Sequence, residues 1–232
     1  LTTYNTISSR ILYEDNHLIV VNKLPSEIVQ GDKTGDTPLS EDVKEFIRIK
    51  YKKPGNVFTG VIHRIDRPTS GVVVFAKTGK ALTRMNELVK VRGLKKTYWA
   101  IVQNRPDKES GELVHHLIRN EKKNKSTAYN KPKSGSKEAV LDYKLICESN
   151  KYFLLEIDLK TGRHHQIRAQ LAAIGCPIKG DLKYGSPRSN KDGSISLHAR
   201  DIEFIHPIKK EKIKIVAPPP KDPLWDYFVE NT

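Results

Sequence analysis

Apolar and polar positions along this chain alternate in short runs, a pattern that predicts many strands and few helices. Residues 11–23 read as strand, turn, strand, with Asp15-Asn16 supplying the turn chemistry. After a polar loop over residues 31–37, Thr37 is placed to cap a helix and Pro38 suits its first position. Glu41 and Asp42 fill its first turn. Leu39, Val43, Phe46, Ile47 and Ile49 give that helix an apolar face to about Lys50. Residues 72–76 are a short apolar run, hence a buried strand. Thr78-Gly79 opens a second helix through Leu82, Met85, Leu88 and Val89, stopped near Gly93.

Further strands are predicted over residues 97–102, 113–118, 194–204 and 212–216. Residues 139–146 and 152–159 alternate as an antiparallel pair does. The basic stretch over residues 120–135 has few apolar side chains and reads as a loop or an exposed hairpin. Residues 164–174 form a helix between Gly162 and Gly175, with Ile167, Leu171 and Ile174 on one face. Asp222 is placed to cap a last short helix carrying Leu224, Trp225 and Phe228. Strands outnumber helices and short connections join them. The expected fold class is therefore α+β, with a large mixed, mostly antiparallel sheet flanked by helices. No repeat or linker divides the chain, so residues 1–232 are expected to form a single domain.

Composition adds a partner. The 232 residues hold 41 Lys and Arg against 27 Asp and Glu, a net charge of +14. Such a surplus points to a polyanion. It is clustered: Arg119, Lys122, Lys123, Lys125, Lys131, Lys133 and Lys137 share their stretch with one acid, Glu121, and Lys209, Lys210, Lys212 and Lys214 form a second group. No apolar run approaches the ~20 residues of a membrane span. No signal peptide is read at the N-terminus, which begins on Leu1 as if residues preceded it, and a cytoplasmic location is expected. Cys147 and Cys176 stand outside metal-ligand spacing and are expected to be reduced thiols. The pairs His115-His116 and His164-His165 are adjacent, so their side chains are expected to diverge. Neither pair has a nearby carboxylate or thiol at metal-ligand spacing. Phosphate-binding glycine loops and a nucleophile elbow are both missing, so nucleotide cofactors and serine hydrolysis have no support.

Three segments combine functional residue types with turn signals. In His63-Arg64-Ile65-Asp66-Arg67-Pro68-Thr69-Ser70-Gly71 one carboxylate lies among cations, just before a strand. Lys95-Lys96-Thr97-Tyr98-Trp99-Ala100 opens another strand, and Thr161-Gly162-Arg163-His164-His165-Gln166-Ile167-Arg168 opens a helix. By spacing alone Asp66 is a turn or cap residue, Tyr98 a core residue, and the third segment a solvated face.

Taken together these segments resemble the RluA-type pseudouridine synthases. The first is similar to H-R-L-D-x-x-T-S-G, the second to K-x-Y-x-A and the third to T-G-R-x-H-Q-I-R. Residues 11–23 resemble the family's opening strand pair. Residues 175–185 and Leu197-His198-Ala199 follow in family order, so the matches run from about residue 11 to 216. Asn22-Lys23-Leu24-Pro25 departs from the more usual N-K-P. The small S4-type domain that many members carry in front is not in this sequence, so the grip on RNA is expected from the core and the basic stretch.

The resemblance implies a central RNA-binding cleft and isomerisation of uridine to pseudouridine in ribosomal or transfer RNA. It implies no cofactor and no metal; the oligomeric state is open, with a monomer as the default. Asp66 would be the nucleophile, and three first steps are open to it: attack at C1′, addition to C6, or removal of a ribose proton. Arg168 would keep Asp66 ionised, Tyr98 would lie beneath the target base, and Leu197 would line an apolar wall. The base must leave its stack, and Arg64 is placed to occupy the vacated space. His63 and Thr69 would contact the substrate, and Lys95, Lys96, Arg163, Lys122 and Lys123 would contact phosphates. The rival readings are a non-catalytic RNA-binding or ribosome-assembly protein on the same scaffold and a glycoside hydrolase. No second acid accompanies Asp66 to support the hydrolase.

Overall fold

The computed structural model describes residues 2–232. In chain order its elements are α1 (Thr2–Ser8), β1 (Ile11–Glu14), β2 (Leu18–Lys23), α2 (Leu39–Lys50), β3 (Gly60–Val61), β4 (Ser70–Ala76), α3 (Gly79–Lys90), β5 (Lys95–Val102), β6 (Ser110–Asn120), β7 (Lys125–Tyr129), β8 (Lys137–Glu148), β9 (Phe153–Leu159), α4 (Gln166–Ala173), a 3-10 turn (Leu182–Tyr184), β10 (Leu197–Ile205), β11 (Lys212–Val216) and α5 (Pro223–Glu230). Strands pair antiparallel throughout the ladders described below, and the fold is α+β, as the alternation predicted. The chain forms two compact units. One holds the chain up to Leu94 together with Ala199–Pro218, and the other holds Lys95–His198 with Pro219–Thr232.

The first unit is organised by β4, all seven residues of which are buried. Strand β2 pairs with β1 on one side and β4 on the other, and β11 pairs with β10. Asp15 makes the β1–β2 turn, its Oδ1 accepting from the backbone N–H of His17 and Leu18 at 2.8 Å each. Because side chains alternate, β4 packs two cores. Val73 and Phe75 join Ile19, Val21 and the α2 residues Val43, Phe46 and Ile47. Val72, Val74 and Ala76 join Leu18, Val20, the α3 residues Ala81 and Met85, and Ile202, Phe204 and Ile215 from β10 and β11. At the head of β4, Gly71 has φ +117°, and a Cβ there would lie 2.3 Å from the carbonyl oxygen of Ala199. Only glycine allows so close a backbone approach.

Two helix starts differ from the sequence reading. Helix α2 begins at Leu39 with Pro38 in the cap position and no side-chain cap. Thr37 is not needed, because the first amides find backbone partners: Leu39 N donates to Ile28 O and Ser40 N to Val29 O. Helix α1 was not anticipated; its Ile7 is buried in the α2-side core. By contrast Asp222 caps α5 as expected, accepting from Leu224 N at 2.9 Å, and at the predicted start of α3 Thr78 accepts from Ala81 N at 3.2 Å.

In the second unit the strand order is β5-β9-β8-β6-β7. Trp225 and Phe228 of α5 cover Trp99, Ile101 and Leu154. Ala169 of α4 packs with Leu117, Ala139 and Tyr184. The basic stretch is a hairpin: β6 and β7 pair from His116↔Tyr129 to Asn120↔Lys125, with a turn over residues 121–124. Helix α4 starts at Gln166, because His165 is left-handed (φ 52°). That kink brings the His164 and His165 rings into a stack 3.8 Å apart, so these adjacent side chains do not diverge. Among the described residues no helix is long and apolar enough to cross a membrane.

Candidate active site

Within the first unit the chain reaches Asp66 through a segment pinned to β4. His63 Nε2 accepts the backbone N–H of Val74 at 3.1 Å. Ile65 packs against the α2-side core, while Arg64 is exposed. A turn follows in which Thr69 N donates to Asp66 O at 3.0 Å. Thr69 is buried, and its Oγ1 has no hydrogen-bond partner among the described residues. Arg67, next to Asp66 in sequence, turns to another loop: its Nη2 lies 2.7 Å from Asp36 Oδ2, 3.7 Å from Asp32 Oδ2 and 2.7 Å from Thr34 Oγ1.

One group behind Asp66 went unread in the sequence. Lys23, the last residue of β2, is fully buried. Its Nζ donates to the carbonyls of Leu24 at 2.8 Å, Glu27 at 2.8 Å and Arg67 at 3.0 Å. Ser26 N also donates to Arg67 O at 2.9 Å, so the residue after Asp66 is tied to the end of β2 twice. Burial lowers the Lys23 pKa to about 7; Glu27 and Asp66 pull it up, and Arg10 and Arg67 push it down. The available signal was a lysine ending a strand that opens with four apolar residues, Leu18 to Val21.

The second unit carries the remaining residues. Tyr98 is buried on β5 and Leu197 is buried at the start of β10. Lys95 is exposed, whereas Lys96 is half-buried beside Gly162 and burial lowers its pKa. Arg163 is exposed, with Nε donating to Glu138 O at 2.9 Å. Gln166 anchors the loop before α4: its Oε1 accepts from Thr161 Oγ1 at 2.8 Å and Arg163 N at 2.9 Å, and its Nε2 donates to Val140 O at 3.1 Å.

Arg168, in the first turn of α4, is buried. Its Nε and Nη2 donate to the two carboxylate oxygens of Asp181 at 2.7 and 2.9 Å, a two-point fork between buried partners. The Tyr184 ring centroid lies 5.0 Å from its Cζ. Neither Asp181 nor Tyr184 was singled out in the sequence beyond its place in a matched segment. His165 Nδ1 lies 3.0 Å from the Tyr184 hydroxyl. Burial and then the charge of Arg168 hold this imidazole far below its ordinary pKa, so it is neutral. Among the described residues no three His, Cys, Asp or Glu side chains gather to hold a metal ion.

The two basic groups are built differently. Lys122 and Lys123 are exposed in the β6–β7 turn. Among the described residues none of the seven basic side chains over 119–137 pairs with a carboxylate; Lys125 and Lys133 instead lie over the rings of Tyr184 and Tyr129. In the β10–β11 hairpin, Lys209 lies 3.2 Å from Asp15, Lys212 3.0 Å from Glu203 and Lys214 3.8 Å from Asp201. That second group is largely neutralised within its own unit.

Comparison with known proteins agrees with this layout. The family model described as RNA pseudouridylate synthase matches residues 17–173. The ribosomal large subunit pseudouridine synthase C of Buchnera aphidicola subsp. Acyrthosiphon pisum is 35% identical over 217 residues, 90% of this chain and 67% of that protein. The ribosomal large subunit pseudouridine synthase D of Xylella fastidiosa is 34% identical over 225 residues, 91% of this chain and 66% of that protein. The chain thus spans about two-thirds of the length of these relatives. The solved structure titled Human RNA Pseudouridylate Synthase Domain Containing 4 shares the fold, with a TM-score of 0.80 at 22% identity over 99% of this chain and 94% of that one.

Proposed function

The chain belongs to the RNA pseudouridylate synthase family, a family of isomerases, and from that premise we propose that it converts uridines to pseudouridine in ribosomal RNA with Asp66 as nucleophile. Transfer RNA is the second substrate class to test. The residues act as one catalytic domain. The observation that carries the reading is the construction at Asp66: a single carboxylate on a turn whose next carbonyl is clamped by the buried Lys23 Nζ and a backbone amide. Such bracing fixes a weak nucleophile against its target, where orientation supplies much of the rate.

In the reaction the N1–C1′ bond breaks, the base turns, C5 bonds to C1′, and the proton on C5 is replaced by one on N1, so the product is an isomer. Asp66 takes the role of attacking group, whichever of C1′, C6 or a ribose proton it meets first. Arg168 supplies a permanent positive charge for the anionic groups of the reaction. Tyr98 offers a flat ring beneath the base and Leu197 an apolar wall. The base leaves its stack at a cost of a few kcal/mol, and exposed Arg64 fills its place. The buried Thr69 hydroxyl is a polar group that the substrate would satisfy, and His63 steadies the segment that bears it. Lys95, Lys122, Lys123 and Arg163 meet phosphates, and Lys96, drawn inward, reaches the RNA close to the reacting nucleotide.

Asp66→Asn is expected to abolish pseudouridine formation, read by carbodiimide labelling of treated ribosomal RNA, while RNA binding stays within a fewfold of the parent. Turnover by the variant would sink the nucleophile assignment. RNA binding by the parent chain with no pseudouridine formed would favour an assembly protein.

A further inference from the structure

The segment that runs from Gly180 to Ser186 matched the family in order but has no part in the chemistry described so far. It is rigid. Gly180 has φ +89°, and a Cβ there would lie 2.7 Å from Ser194 O. Gly180 N donates to Ser186 Oγ at 3.1 Å, and Tyr184 N and Ser186 N both donate to Asp181 O, at 3.1 and 3.0 Å. Two side chains of this braced turn meet Arg168: the Asp181 carboxylate through its fork and the Tyr184 ring.

A guanidinium has two forks. The side-on fork uses Nε and Nη2, and the end-on fork uses Nη1 and Nη2. Asp181 occupies the side-on fork, which fixes the plane of the group and the direction of its other edge. Tyr184 is held in turn by its hydroxyl, which accepts the N–H of Ser126 at 2.8 Å and lies 3.0 Å from His165 Nδ1. Ser126 follows Lys125 on the basic hairpin, and the Lys125 ammonium lies 5.0 Å from the same ring centroid. The ring therefore connects the hairpin to the cation of α4.

We propose that Asp181 and Tyr184 are positioning residues for the reaction, a rigid cradle that aims the end-on edge of Arg168 at the reacting groups and links that aim to the basic hairpin. This rests on the reading of Arg168 as the cation of the site. A carboxylate kept there for ion pairing alone would tolerate any acid that reaches the guanidinium. One kept for aim would not, because small misplacements of a group in a reacting site cost rate out of proportion to their size.

The test is steady-state kinetics on ribosomal RNA with thermal melting of each variant. Asp181→Asn keeps one acceptor and loses the fork; kcat is expected to fall by about 10- to 100-fold with KM within about twofold. Asp181→Glu keeps the charge but moves it by one methylene. It is expected to melt near the parent and still lose roughly tenfold in kcat. Tyr184→Phe keeps the ring and drops the hydroxyl, with a loss of about three- to tenfold. A folded Asp181→Asn with kcat within twofold of the parent overturns the proposal. If that variant does not fold, Asp181→Glu with unchanged kcat overturns it instead. Asp66→Asn and Arg168→Ala are measured beside them. If either keeps full activity, the reading of the site fails; if both are impaired and the Asp181 variants are not, the cradle alone fails.

Discussion

The β6–β7 hairpin and the β10–β11 hairpin each carry a run of lysines, but only the second brings its own carboxylates. Glu203, Asp201 and Asp15 stand within ion-pairing distance of Lys212, Lys214 and Lys209. Across β6 and β7 the facing residues are uncharged for the most part: Arg119 faces Ser126, Ile118 faces Thr127 and Asn120 faces Lys125. In sequence the two runs look equivalent as polyanion sites. In the fold, one stands without carboxylate partners among the described residues while the other already has them. Charge counted along a chain therefore overstates a patch wherever a paired strand supplies acids that linear distance hides.

Three measurements would break or sharpen that contrast. The largest effect is expected from Lys122→Ala, Lys123→Ala and Lys131→Ala combined. RNA affinity near physiological salt should fall by about 30- to 100-fold, and the slope of log affinity against log salt should flatten by roughly two to three. An unchanged slope would mean that the hairpin is not a phosphate surface. Next comes Lys23, a lysine in a third setting, buried and bonded to three carbonyls. The Lys23 pKa of about 7 lies below its ordinary 10.5. Between those values the unfolded chain binds a proton that the folded chain has released, so stability rises with pH across that window and is flat below it. The slope is at most one proton, about 1.4 kcal/mol per pH unit. Lys23→Met should remove that rise, as read from urea midpoints at pH 7, 8 and 9. The smallest effect belongs to Lys209→Ala, Lys212→Ala and Lys214→Ala combined. The salt slope should change by less than about one. The loss of surface pairs should lower the melting point by at most a few degrees.

The elements were largely legible because apolar spacing is local information: the strand pair at the N-terminus, the buried run of β4 and the capped starts of α3 and α5 follow from residues a few positions apart. Helix α2 was misread at its first residue because its amides are satisfied by Ile28 and Val29, a tertiary contact. His164 and His165 were misread because a left-handed residue breaks the helical geometry assumed for them. At the site, motif order marked Asp66, Tyr98 and Arg168. It gave Lys23, Asp181 and Tyr184 a place in matched segments but no role, because their importance lies in what they touch: three carbonyls, a guanidinium, and a hairpin amide. The sequence reading gave Arg64 a role and left Arg67 without one; the fold sends Arg67 to Asp32 and Asp36 and leaves Arg64 exposed.

The first unit is closed by a late piece of chain. Ile202, Phe204 and Ile215 complete the core that β4 and α3 begin, and Gly71 fits only against the backbone of Ala199. During synthesis the turn that bears Asp66 therefore leaves the ribosome long before the strand that braces it, with the whole of Lys95–His198 made in between. The turn that carries Asp66 is thus translated early, while its bracing arrives only with the chain from Ala199 to Pro218.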